Sequence, residues 1–177
     1  MRTPLIGIAL LALCVGCNRA DMDITTPGAV CEVHNIPLQE GVVPITYGLI
    51  RPTGEETEAR RKLFPHAWSS YHDGCVVKEA KWARVSFCPE CRKAEIAWKQ
   101  AEQQRMAPIK AHWERVRAIL EKNPKFDHVH PFIRRGSDAT VGIEGQVKSD
   151  EDLAELKALI DATEPPTPVC WEVQIGS

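Results

Sequence analysis

The run ARVSFCPECRKAEIAW, residues 83–98, joins two periodicities at one pair of cysteines. Before Cys88, Val85 and Phe87 share one face while Arg84 and Ser86 share the other, the period of two of a strand. Beyond it, Cys91, Ala94, Trp98 and Ala101 fall on one stripe, which predicts a helix over Glu90 to Arg105. A strand that ends where a helix begins places Cys88 and Cys91 on a single turn, with Cys91 in the first helical turn. There the helix dipole favours thiolate. Upstream, CEVH, residues 31–34, repeats the spacing with a histidine. Each pair can bite one ion from one turn, and zinc prefers four such N or S donors in a tetrahedron. The expected fold is therefore α+β: a small hairpin and helix lobe with a metal knuckle, a helical linker and a C-terminal βαβ lobe. Cys31, His34, Cys88 and Cys91 are the candidate ligands, with Cys75 as an alternative fourth.

Other readings of these cysteines stand beside the metal site. Exported proteins often carry structural disulfides. A strand followed by Cys-Pro-x-Cys and a helix also reads as a thioredoxin-like redox motif, although no βαβ unit and no apolar aromatic lead-in precede it. The thiols can also serve as small buried hydrophobes. His72, three residues before Cys75, and His66 after Pro65 are further donor candidates. His128 and His130 share a face if extended but lack a third ligand nearby. Cys170 points away from the apolar stripe of its strand and reads as a free thiol.

Outward from the motif, VVPITYG at 42–48 predicts an edge strand, because Pro44 has no N–H to give to a ladder. Thr53 with Glu56 forms a capping-box pattern for a helix running to about Phe64 and stopping at Pro65. Gly74 to Ala80 and Lys81 to Cys88 read as a hairpin. Pro108 is expected to interrupt the helix, with a second helix burying Ile109, Trp113, Val116 and Leu120 and ending at KNPK. Val141, Ile143, Gly145 and Val147 alternate with polar residues. Ser149 caps a helix carrying Leu153, Leu156 and Ile160, and Val169, Trp171, Val173 and Ile175 share a strand face. Together these predict a βαβ crossover. It resembles the second half of a BON domain, found in exported bacterial proteins.

The chain opens MRTPLIGIALLALCVGCNRADMD. One charge, Arg2, precedes an apolar run from Leu5 to Val15, and small Gly16 precedes Cys17, the pattern of a secretory signal peptide over residues 1–16. LCVGC resembles the lipobox of bacterial lipoproteins, with Cys17 at the position that becomes lipidated. The family favours Leu three places earlier, where this chain has Cys14 and puts Leu13 one place further out. The resemblance implies a bilayer partner reached through acyl chains on Cys17. Because Asn18 follows the cysteine, it also implies an outer-membrane location facing the periplasm. Plain secretion with cleavage near Gly16 is the alternative. Residues 17–30 read as a lipidated tether, 31–106 as the Cys/His lobe, 107–122 as a connecting helix and 123–177 as the βαβ lobe.

Removing the leader leaves about 160 residues, enough for one compact domain or two small lobes. With 22 basic residues against 24 acidic ones there is no electrostatic footprint for nucleic acid. Cys31, Cys75, Cys88, Cys91 and Cys170 remain besides Cys17, and an odd number cannot all pair within one chain. CEVHNIPLQEGVVPITYG, LFPHAWSSYHDGCVV and VSFCPECRKAEIAW together resemble a group of uncharacterised exported bacterial proteins. These share a Cys-x2-His start, a VPIxYG strand, a GCV turn and a CPxC helix start. The likeness spans residues 31–98 and implies that Cys31, His34, Cys75, Cys88 and Cys91 form one unit, without implying a reaction. No Ser/His/Asp set, phosphate loop or paired-carboxylate motif supports a hydrolase or kinase. The expected role is binding or scaffolding at the envelope, with another envelope protein as the candidate partner. The alternatives are a thiol–disulfide oxidoreductase using Cys88 and Cys91, or a metal chaperone or sensor.

Overall fold

The structure, a computed structural model, describes residues 20–176, so the predicted signal peptide and Cys17 lie outside the described residues. The fold is α+β, with two sheets and three α-helices among the described residues.

The first sheet contains β1 (Met22–Ile24), β2 (Gln39–Thr46), β3 (Tyr71–His72) and β4 (Trp82–Phe87), in the order β1-β4-β2-β3. β4 runs antiparallel to β2 from Gln39↔Phe87 to Pro44↔Trp82 and parallel to β1 from Met22↔Ala83. The predicted hairpin is thus corrected. Residues 74–80 form a loop, and β4 takes its partners from far along the chain, burying Ala83 and Val85 completely. Lys78 and Glu79 interrupt any apolar alternation in that loop. β2 is an inner strand, yet Pro44 fits: Ile45 N–H donates to Lys81 O at 2.8 Å, so alternation turns the Pro44 nitrogen away from β4. On that side β3 pairs with Ile45 and Thr46 alone.

The predicted tether is corrected as well. Met22 and Ile24 alternate around Asp23 and pack on Val43, Ala83 and Val85. The Asp21 carboxylate accepts from the N–H groups of Lys81 (2.6 Å) and Trp82 (3.0 Å) and fixes the strand's entry.

Helix α1 (Gly54–Leu63) starts where the cap predicts, with Thr53 Oγ1 accepting from Glu56 N–H at 3.1 Å. The Glu56 carboxylate pairs with Arg60 at 3.2 Å. Helix α2 (Pro89–Glu121) runs unbroken through Pro108, against expectation. An interior proline costs about 3 kcal/mol, while burying one large aliphatic side chain contributes about 1.5–3 kcal/mol. Met106, Ile109, Val116 and Leu120 are all buried around it, so packing wins. The expected boundary between residues 106 and 107 therefore falls inside one helix. Arg105 ties the two ends of the molecule together, reaching Glu55 of α1 at 3.2 Å and the carbonyl of Gly136 at 2.8 Å.

The second sheet is β5 (Val129–Arg134), β6 (Thr140–Val147) and β7 (Cys170–Ile175), in that order. β6 and β7 are parallel and joined by α3 (Asp150–Asp161), giving the βαβ unit. Ser149 Oγ accepts from Asp152 N–H at 3.2 Å. Leu156, Ile160, Val141 and Ile143 close a core with the second half of α2. Ile175, expected on the core stripe with Trp171 and Val173, is exposed. β5, absent from the sequence expectation, pairs antiparallel with β6 and carries Pro131, which an edge strand tolerates. Close approach fixes two glycines of β6. A Cβ on Gly142 would meet the Phe132 ring at 2.2 Å, and one on Gly145 (φ +127) would meet the His128 carbonyl oxygen at 2.0 Å.

Candidate metal centre

Two turns meet at one end of the first sheet. The first is closed by a bridge between Val30 and Pro37 and by hydrogen bonds from Cys31 N–H to Ile36 O (2.9 Å) and Asn35 N–H to Cys31 O (2.7 Å). Asn35 takes the left-handed conformation (φ 51), which its short polar side chain tolerates. The turn projects Cys31 and His34 to the same side. The second is the junction of β4 and α2. Cys88 is the helix cap, its sulfur accepting from Cys91 N–H at 3.4 Å, and Pro89 opens the first turn. Both local structures follow from the sequence, since a cap before proline starts a helix.

The one nitrogen and three sulfur donor atoms of Cys31, His34, Cys88 and Cys91 lie within 4.8 Å of one another, and this group could hold a metal ion. His34 Nδ1 stands 3.5 Å from Cys31 Sγ, 3.6 Å from Cys88 Sγ and 3.4 Å from Cys91 Sγ, and the Cys31 and Cys91 sulfurs are 3.6 Å apart. A tetrahedron with zinc–sulfur arms of about 2.3 Å and a zinc–nitrogen arm of about 2.0 Å has S···N edges of about 3.5 Å and S···S edges of about 3.8 Å. The three N···S separations and the Cys31–Cys91 S···S separation match those figures. They are far longer than the roughly 2.0 Å of a disulfide, and all five cysteines among the described residues are free thiols. The donor set suits zinc.

The wall around the donors is apolar. Cys31, Cys88 and Cys91 are fully buried against Ala59, Phe64 and Ala67, with Trp98 packed alongside. Residues 64–68 complete it, through backbone carbonyls and not through the His66 ring that the sequence offered as a donor. The carbonyl of His66 accepts from Cys88 N–H at 2.8 Å, and Arg92 reaches the carbonyls of Ala67 (2.9 Å) and Trp68 (3.0 Å). The same guanidinium lies 3.3 Å from the Phe87 ring centroid. These roles belong to backbone atoms, which no residue-type pattern can signal.

Electrostatics separate the sulfurs. Burial raises the Cys31 thiol, but hydrogen bonds from the backbone and ring of His34 and from the backbone of Val33 overturn it, bringing it down to about 6. Burial pushes the Cys91 thiol up to about 12, against a lowering hydrogen bond from the His66 backbone, and the neighbouring Cys31 and Cys88 add to the rise. Crowding several thiolates together is costly without a cation, and a divalent ion reverses that cost.

The remaining candidates stand apart. Cys75 is exposed on the loop after β3, outside the donor group, so its expected alternative ligation is corrected. The chain reverses between it and Cys88, leaving the two at opposite ends of β4. His72 is exposed in β3, and His66 Nε2 bonds Glu32 Oε2 at 2.6 Å. His128 and His130 flank Val129 on the surface, outside any donor group among the described residues. Cys170 is half-buried, 3.8 Å from Arg134 Nη1 and 3.7 Å from Glu172 Oε1. No protein-family model, curated protein or solved structure matches this chain.

Proposed function

We propose that this chain is an envelope protein, anchored to a bilayer through Cys17, whose Cys31–His34–Cys88–Cys91 group binds zinc as a structural staple. The role is scaffolding or binding, and no residue set assigns it a reaction. The observation that carries the reading is the convergence of four donors, four of whose six separations match the edges of a zinc tetrahedron. Four protein donors fill a zinc coordination sphere, as structural sites do, whereas catalytic sites keep a position for water. That filling also weighs against a chaperone or sensor, which needs an open position for handing metal on. The burial of Cys88 and Cys91 weighs against an oxidoreductase, whose attacking sulfur must be reached by a partner. Anchoring at Cys17 is supported by the Leu5–Val15 run, Gly16 and the lipobox-like ending.

Native mass spectrometry of the full chain, purified from its envelope without chelator, tests the reading. One zinc per chain is expected, with the three cluster thiols reacting only after chelation and denaturation. A metal-free chain lacking two hydrogens per cysteine pair would move the motif to disulfide chemistry.

A further inference from the structure

We propose that the end of the first sheet opposite the metal centre lies on the lipid bilayer and inserts apolar side chains into it. This deepens, and rests on, the anchoring of Cys17. The topology gathers four chain segments at that end: the entry into β1, the exits of β2 and β3, and the entry into β4. They carry Leu49 (70% exposed), Ile50 (56%), Val76 (73%), Val77 (77%) and Trp82 (47%), half of the exposed large hydrophobics among the described residues. Hydrogen bonds hold the loops together, from Gly48 N–H to the Gly74 carbonyl at 3.0 Å and from the Tyr47 hydroxyl to the Ala80 carbonyl at 2.7 Å. Five exposed large hydrophobic side chains gathered at one end mark an interaction surface.

The path of the chain names the occupant. Asp21 is fastened to the amides of Lys81 and Trp82 at this end, and Cys17 is four residues earlier. Four residues reach at most about 14 Å. Acyl chains on Cys17 therefore bring the bilayer to these loops and not to the metal centre, which β4 holds about 20 Å further off. An acyl anchor gains from a second contact, and tryptophan beside aliphatic residues suits the interface between water and hydrocarbon. Arg51, Lys78 and Lys81 at this end are balanced by Asp21, Asp73 and Glu79, so insertion is apolar and does not depend on lipid charge.

Cys75 lies within the loop and is exposed, while the three metal-centre thiols are buried. The full chain, with Cys170→Ser, is labelled at Cys75 with an environment-sensitive fluorophore. It is then reconstituted into phosphatidylcholine vesicles with and without phosphatidylglycerol. Flotation reports anchoring, and iodide quenching reports depth. We expect flotation with a several-fold loss of quenching in both lipid mixtures. Val76→Asp/Val77→Asp should restore quenching with flotation, circular dichroism and thermal transition unchanged. A floating protein whose label is fully quenched overturns the insertion and leaves the anchor standing. A protein that does not float overturns both. Protection seen without vesicles, or on anionic vesicles alone, overturns it in favour of self-covering or charge-driven binding.

Discussion

Cys31→Ser removes one of the four donors by exchanging a sulfur for a smaller oxygen, and its consequence can be worked through. On the proposed reading the native site binds metal and the unfolded chain does not, so metal at a free concentration 1,000-fold above its dissociation constant stabilises the fold by about 4 kcal/mol. For a domain of this size each kcal/mol moves the midpoint by about 2–4 °C, giving a shift of about 8–16 °C. Chelation of the wild-type chain should therefore lower its thermal midpoint by about 10 °C. In Cys31→Ser the transition should already be low and should barely respond to chelator. The assay is scanning calorimetry at pH 7.5 with and without chelator on both proteins. A wild-type transition indifferent to chelator, or a variant as sensitive as the wild type, would refute the reasoning.

Four further outcomes can be checked on the same samples. Cys75→Ser should retain the wild-type zinc content and midpoint, since that thiol is remote from the donors; metal loss would place it in the site. Pro108→Ala should stabilise by about 1–3 kcal/mol in a denaturant titration, because Pro108 is exposed and its replacement restores a helical N–H. Gly145→Ala should destabilise by more than about 2 kcal/mol, since its φ of +127 and the His128 carbonyl both exclude a Cβ. His112 is buried with Nε2 2.7 Å from Thr163 Oγ1, and burial together with nearby Arg115 lowers its pKa from 6.5. The unfolded chain then takes the proton first, so stability is full above pH 6.5 and falls below it, by at most about 1.4 kcal/mol per pH unit. His112→Gln, compared with wild type in chelator, should flatten that slope.

What the sequence disclosed was local. The two ligand pairs each lie on one turn, the caps at Thr53 and Ser149 bond neighbours three residues on, and the alternation of Val141, Ile143 and Val147 declares a half-buried strand. The missed features depend on distant partners. Met22–Ile24 is a strand because Ala83 and Val85 offer an edge, and Trp82–Phe87 pairs with β2 because Lys78 and Glu79 break any alternation in residues 74–80. Pro108 reads as a break from its own chemistry, yet burial around α2 overrides it. Cys75 matched the spacing of a ligand but leaves β3 at the wrong end of the sheet.

The single helix shared by both cores sets a phase as well as a distance. Its 33 residues span about 50 Å, and each residue inserted or deleted between Trp98 and Arg105 would rotate one core against the other by about 100°. Arg105 could not then reach Glu55 and Gly136 together. Length variation is therefore forbidden in this stretch even where its side chains face only water, and surface loops are where this architecture can absorb it.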